Sequence, residues 1–417
     1  MPSLPSAPQS AATIRLRLKL MSFLQFFIWG SWLISLGSYM IKTLHFSGSQ
    51  VGDIYSMSGI AACVMPFLIG FIADKYLSAN KLYALCHCAG GIALIIMAQV
   101  TSPAVMIWVM LLNLMFYIPT IGLSNSIAHF CIKQGMLDTV DYFPAIRVFG
   151  TIGFIAAMWA VSLCKFELSA AQLYIAAGAS FILAAYGLTL PKMPAAGKQG
   201  GVSGAAFALL REPRMAVFFG FAVLLGVVLH ITNTFGNPFL HDLADTEAGR
   251  QNLFLRYPDI LYSVSQMSEI CFILAIPFVL RKFGIKTVML ISVFAWVLRF
   301  GLFAFGGASA PGMGMLLLSM VVYGCAFDFF NISGSIFVEK SVPEAQRSAG
   351  QGLFMVSMNG FGTFIGMYAG GRIVDYFTAA GARDWQSIWL VFTVYSAVLF
   401  FLFLFCFKGK KAARSSI

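Results

Sequence analysis

Long apolar stretches separated by short polar connections dominate the chain. Crossing the hydrocarbon core of a bilayer takes about 20 mostly apolar residues in a helix, because a helix rises about 1.5 Å per residue and closes its own backbone hydrogen bonds. Measured against that length, the sequence predicts twelve spans: 20–41, 51–73, 82–99, 104–130, 143–163, 170–190, 215–236, 258–280, 286–306, 312–338, 350–374 and 385–407. An even number of spans places both termini on the same side of the membrane.

Composition agrees with that pattern. Of 417 residues, 59% are hydrophobic and only 10% are charged, against about 25% charged in an ordinary soluble domain. Such a chain is not a soluble enzyme, a disordered protein or a nucleic-acid binder. The net charge of +11 is explained by topology. Nineteen Lys and Arg fall in the terminal segments and in the connections on their side, six fall on the other side, and Arg147 and Arg299 lie inside spans. By the positive-inside rule both termini of this multi-pass membrane protein are then cytoplasmic. The first apolar stretch is longer than a signal-peptide core and has no convincing cleavage site, so it is expected to be a retained span. The eight Cys lie in or next to spans without the spacing of a disulfide framework or a metal site.

Residues 191–213, rich in Gly, Pro, Ala and Lys, form the long connection between spans six and seven. They divide the chain into an N-terminal six-helix bundle (1–190), a cytoplasmic linker (191–213) and a C-terminal six-helix bundle (214–417). A weak internal echo links GFIADKYLSANK at 70–81 with PFVLRKFGIK at 277–286, each following the second span of its half. Two six-helix halves around a central pathway is an arrangement of rocking transporters, whose substrate sites lie near the midplane. The first segment resembles the inner-loop signature of the major facilitator superfamily, in which Gly70, Asp74 and Lys81 are the expected gate residues; the second copy lacks an acid at the Asp74 place.

Charge near the bilayer centre costs at least about 2.5 kcal/mol, so ionisable residues there point to function. Glu269 and Asp328 lie near mid-depth of spans eight and ten, Arg299 near the middle of span nine, and Arg147 toward one end of span five, with a side chain long enough to reach inward. A buried carboxyl can load and release a proton as its surroundings change, which makes Asp328 and Glu269 candidates for proton coupling; a structural ion pair between helices is the alternative, above all for Arg299. Helical spacing adds neighbours: Arg147, Thr151 and Phe154; His230 and Asn233; Gln266 and Glu269; Tyr323 and Phe327. Aromatics to stack, amides to pair with a base edge and ions to grip hydroxyls suit a flat heteroaromatic ligand carrying a sugar. His230 is the one histidine expected deep in a span, with His45, His87, His129 and His241 near span ends or in loops. It suits base reading, titration or packing.

These residues carry a resemblance. SFLQFFIWGSWLISLGSYM at 22–40, FPAIRVFGTIGF at 143–154, ITNTFGN at 231–237, SQMSE at 265–269 and YGCAFDFFNISGS at 323–335 closely resemble the nucleoside:proton symporters, a family of the major facilitator superfamily. The resemblance runs over nearly the whole length. It implies an all-α membrane protein of twelve helices that imports nucleosides by proton symport with alternating access. The implied site comprises Arg147, Thr151, Phe154, Asn233, Gln266, Glu269, Tyr323, Phe327 and Asp328, with Asp328 as the proton-linked acid. His230 departs from the pattern, since similar permeases have Gln there, and this bears on base preference. The expected partners are a nucleoside, a proton and the lipid bilayer, with no cofactor, metal or nucleic acid and a monomeric chain. A proton symporter for a sugar or another polar metabolite is the alternative. A membrane enzyme would need a nucleophile with a base, or a metal cluster, at matched depth, and no HExxH or similar arrangement occurs; nor does a phosphate loop for an ATP-driven pump.

Overall fold

The computed structural model describes residues 11–75, 78–136, 138–191 and 208–407, without the side chains of 66–75, 139–141 and 345. Most of the expected linker, 192–207, lies outside the described residues. Helices α1 to α6 are Ala11–Gly30 (continued through Leu36–Ser38 and a π turn, Tyr39–Thr43), Gly48–Lys75, Ala79–Gln99, Pro103–Gln134, Thr139–Leu163 and Ala171–Thr189. Helix α7 comprises Pro213–Leu229 and Ile231–Ala244. The segment Pro258–Phe305 is two helices, α8 and α9, parted at Gly284, whose φ of 76° is a left-handed value that favours glycine. Helix α10 is Ala310–Ser341, α11 is Arg347–Met355 with Val356–Gly362 and Thr363–Tyr376, and α12 is Trp385–Cys406.

Among the described residues, eight helical segments are long and apolar enough to cross a membrane by length and composition, counting Pro258–Phe305 once. Of the rest, α1 and α11 are interrupted, and α2 runs into residues whose side chains are outside the described ones. α1 and α11 contain π turns, Tyr39–Thr43 and Val356–Gly362, which interrupt the regular ladder and often mark functional positions. Prolines open α4, α7, α8 and α10, where the missing N–H has no intrahelical role. Asp384 caps α12 by accepting from the Ser387 backbone N–H at 3.1 Å. The Ser387 hydroxyl and backbone together hold the Asp384 carboxyl below the usual carboxylate range. Between α11 and α12 a short antiparallel hairpin pairs Thr378–Ala379 (β1) with Ala382–Arg383 (β2), its turn formed by Ala380 and Gly381 at positive φ.

Lipid tails are as apolar as leucine, so helices associate here through close packing and interhelical hydrogen bonds. α1 lies against α5, and α2, from the first six helices, crosses α11, from the last six. At that crossing a Cβ on Gly52 would meet the Met367 carbonyl and come within 2.9 Å of the Gly371 Cα. α5 faces α8, with the Trp159 indole N–H donating to the Ser263 hydroxyl at 2.9 Å.

Polar contacts shut one end of this interface. Lys42 pairs with Asp242 at 2.6 Å, His241 with Glu167 at 2.7 Å and Arg372 with Asp53 at 2.8 Å. The backbone N–H of Gly48 donates to Asp375 at 2.6 Å, and the Ser38 hydroxyl donates to Asn237. All the hydrogen bonds and ion pairs between the halves that join described residues lie toward this end. Of the expected gate residues, Lys81 is exposed at the start of α3, while the side chains of Gly70 and Asp74 are outside the described residues.

Valine at position 52 must push α2 away from α11, and overpacking of this kind costs about 1–3 kcal/mol. Gly52→Val is therefore expected to lower the thermal unfolding midpoint in detergent; an unchanged midpoint would show that the two backbones are not in contact there.

Candidate functional site

A cavity of about 120 Å³ lies between the halves. The first half contributes Phe26, Trp29 and Leu33 from α1 and Arg147, Thr151 and Phe154 from α5. From the second half come His230 and Asn233 of α7, Gln266 and Glu269 of α8, and Tyr323 and Phe327 of α10. Residues three, four or seven apart on a helix share a face, which is why each set converges from its own helix. Two larger hollows, of about 550 and 570 Å³, lie in the connections and helix ends at the shut end and gather none of these residues.

Nine of the ten binding residues expected from sequence thus line one cavity, and Asp328 does not. Successive helical residues point about 100° apart. Phe327 faces the cavity and stacks on Tyr323 with ring centroids 5.5 Å apart, while Asp328 is buried behind the lining, 4% exposed. Its Oδ2 has no hydrogen-bond partner. Asp328 still lies close enough to Glu269 and Arg147 for their charges to interact. Arg147 projects into open space from α5 with its guanidinium 5.1 Å from the Phe26 ring centroid.

Arg299, expected as half of an ion pair, is wholly buried and held by uncharged groups. Its Nε and Nη2 donate to Thr232 Oγ1, each at 3.1 Å, its Nη1 to the Ser319 carbonyl at 2.9 Å, and its Nη2 to the Tyr262 hydroxyl at 2.9 Å. The guanidinium also lies 4.3 Å from the Tyr323 ring centroid, a cation–π contact that offsets part of the missing countercharge. The Tyr262 hydroxyl donates in turn to Asn233 Oδ1 at 3.3 Å, and Asn233 Nδ2 donates to the Tyr323 hydroxyl at 3.2 Å. One buried cation therefore orients a cavity amide through two tyrosines.

Two histidines differ from expectation. His230 sits where α7 breaks, between Leu229 and Ile231, and not inside a continuous helix. His87, expected near a span end, is 1% exposed among α1, α4 and α6, its Nε2 at 3.0 Å from Gln25 Oε1 and its Nδ1 at 3.3 Å from Ser180 Oγ. The Tyr83 hydroxyl donates to the same Gln25 oxygen and the Gln25 amide donates to Thr120. The result is a polar core wholly within the first half.

Phe26, Trp29 and Leu33 were not singled out by sequence, although their i, i+3, i+7 spacing was a usable signal in an aromatic-rich helix. The Trp29 indole N–H has no protein partner. Among the described residues no group of three His, Cys, Asp or Glu could hold a metal ion.

Two helical halves with a mid-membrane cavity between them define a membrane transporter of the major facilitator fold. A model of the nucleoside H+ symporter family matches residues 12–412, and the chain belongs to that family. It is 58% identical to xanthosine permease of Escherichia coli K12 over 404 residues, covering 95% of this chain and 96% of that protein. It is 51% identical to the nucleoside permease NupG of the same organism over 403 residues, covering 95% and 96%. The crystal structure of nucleoside transporter NupG matches with a TM-score of 0.91 over 95% of this chain and 100% of that one. The chain is accordingly a secondary active transporter and not an enzyme.

A lysine at 299 keeps the charge and loses the planar fork that serves Thr232, Tyr262 and Ser319 together. Losing one or two charge-assisted hydrogen bonds costs about 2–4 kcal/mol, so Arg299→Lys should markedly lower the thermal midpoint of the purified protein. A midpoint within a degree of wild type would show that the fork does not hold this network.

Proposed function

We propose that the protein imports nucleosides together with protons across the bacterial inner membrane, with both termini in the cytoplasm. The observation that carries this reading is the convergence, from opposite halves, of Arg147 and Glu269 with two amides and several aromatics on one cavity. The division at 191–213 makes the two halves the bodies that rock. With the 42–47 and 164–170 connections outside by the positive-inside rule, the shut end is the periplasmic one and the state is inward-facing.

Asn233 has its amide turned by Tyr262 and Tyr323 and retains an N–H and a lone pair for a base or hydroxyl. Gln266 offers a second amide, Trp29 a free N–H, and Phe154, Tyr323 and Phe327 offer rings for stacking. Arg147 and Glu269 supply a donor fork and an acceptor for sugar hydroxyls, and Thr151 lies one turn from Arg147. In this reading Asp328 acts from behind the wall. Protonating it or Glu269 removes a charge that is costly to bury as the cavity closes. Lys81, with Gly70 and Asp74, serves the inner gate.

The test is uptake of labelled nucleosides in transporter-deficient cells, competed by nucleosides, bases and sugars, with and without a protonophore; competition by sugars alone would replace the substrate assignment. Asp328→Asn should abolish accumulation above the external concentration while leaving nucleoside exchange within about fivefold of wild type, since one buried hydrogen bond is worth only about 1 kcal/mol. Undiminished uphill uptake by this variant removes Asp328 from coupling. Because His230 shares the cavity with Asn233, His230→Gln should shift the ratio of purine to pyrimidine uptake about fivefold, the effect of one hydrogen bond; an unchanged ratio would return His230 to packing.

A further inference from the structure

The shut end holds a carboxyl that the transport mechanism above does not use. Asp259, in the first turn of α8, is 0% exposed and belongs to none of the ion pairs among described residues. Its Oδ1 accepts from Asn237 Nδ2 at 2.6 Å, and its Oδ2 has no donor. Glu167 faces it from the α5–α6 connection, close enough for the two charges to interact. Tyr55 of α2 and Tyr262 of α8 also face it, and neither carries a positive charge. The nearby cations are engaged elsewhere: Lys42 with Asp242 and Asp245, His241 with Glu167, Arg383 with Asp242, and Lys165 with the Arg256 carbonyl. Arg256 itself lies against the Tyr257 ring.

Two carboxylates this close in a dry interface do not both ionise. Glu167 has both oxygens partnered, its Oε2 meeting His241 Nε2 at 2.7 Å and its Oε1 accepting the Asp259 backbone N–H at 3.3 Å, at the positive end of α8. The Ser35 hydroxyl lies beside the Asp259 carboxyl, but its own proton goes to Gln172 Oε1 at 2.8 Å. That direction is fixed because Gln172 Nε2 donates to the carbonyls of Glu167 and Ser169, each at 3.0 Å. Ser35 therefore has no proton to give Asp259, whose Oδ2 is left without any partner.

We propose that Asp259 is a proton-binding site of the shut gate, separate from the cavity acids, which takes up a proton from water as the two halves close over it and returns the proton when they part. The proton sits on Oδ2, the carboxyl oxygen that no donor reaches in the shut gate. Opening withdraws Ser38 and Glu167 of the first half from Asn237, His241 and Asp259 of the second, lets water reach the carboxyl and makes its ionised form affordable. The shut state is then favoured as pH falls and disfavoured as pH rises. The device does not depend on which substrate is carried.

The experiment measures the ratio of open to shut gate by spin-label distances between Leu168→Cys and Leu253→Cys in lipid nanodiscs, where both faces see one pH. Exposed native cysteines are replaced, and the cavity acids are silenced by Asp328→Asn and Glu269→Gln. Between about pH 5 and pH 8 the ratio should rise with a slope approaching about tenfold per pH unit, the limit for one linked proton. Asp259→Asn should flatten that response with the gate shut. If the amide prevents folding, Asp259→Ser should give the same flat profile. His241→Gln should leave the slope in place. A flat response with Asp259 present, a slope that survives removal of the carboxyl, or a slope lost with His241→Gln would each overturn the proposal, the last by assigning the proton to the imidazole.

Discussion

A guanidinium buried without a countercharge organises the second half. Arg299 is satisfied by Thr232, Tyr262 and the Ser319 carbonyl, and these partners belong to α7, α8 and α10, the helices that present Asn233, Gln266, Glu269 and Tyr323 to the cavity. With no water in the bilayer core, each donor of the fork must find an acceptor on a neighbouring helix. Meeting that requirement fixes how the helices are rotated. The amide of Asn233 inherits its orientation from the same network, so the side chains facing the cavity and the packing behind them form one hydrogen-bonded system.

The first half uses a different solution. Gln25, Tyr83, His87, Thr120 and Ser180 satisfy one another as neutral groups, and its contribution to the cavity rests on Arg147 projecting from α5 and on the aromatic face of α1. The two halves are thus unlike in the electrostatics of their interiors although alike in helix number. Glu269 at the cavity, Asp328 behind it and Asp259 at the shut end all belong to the second half, with Arg147 opposite the first two.

Much of this was legible in the sequence because the bilayer imposes a length and a price on charge. The spans, the turn at Gly284 and the mid-depth acids follow from those two constraints. Burial behind the wall was not legible for Asp328, since the direction a mid-span residue takes depends on the helix it packs against. Arg299 was visible as an anomaly, but its neutral partners are scattered across α7, α8 and α10 and no spacing connects them. His87 looked peripheral because its partners, Gln25 and Ser180, are about 60 and 90 positions away. The face formed by Phe26, Trp29 and Leu33 was hidden by abundance, as a chain with 41 Phe offers too many aromatic stripes to choose among.

The crossing of α2 with α11 has a kinetic meaning. Gly52 there faces the Met367 carbonyl and Gly371, so two main chains meet with almost no side chain between them. Separating such surfaces frees few rotamers and exposes little apolar area, and remaking them requires few side chains to find their places again. A contact of this kind is suited to serve as a bearing, since it can be parted and remade with small changes in free energy.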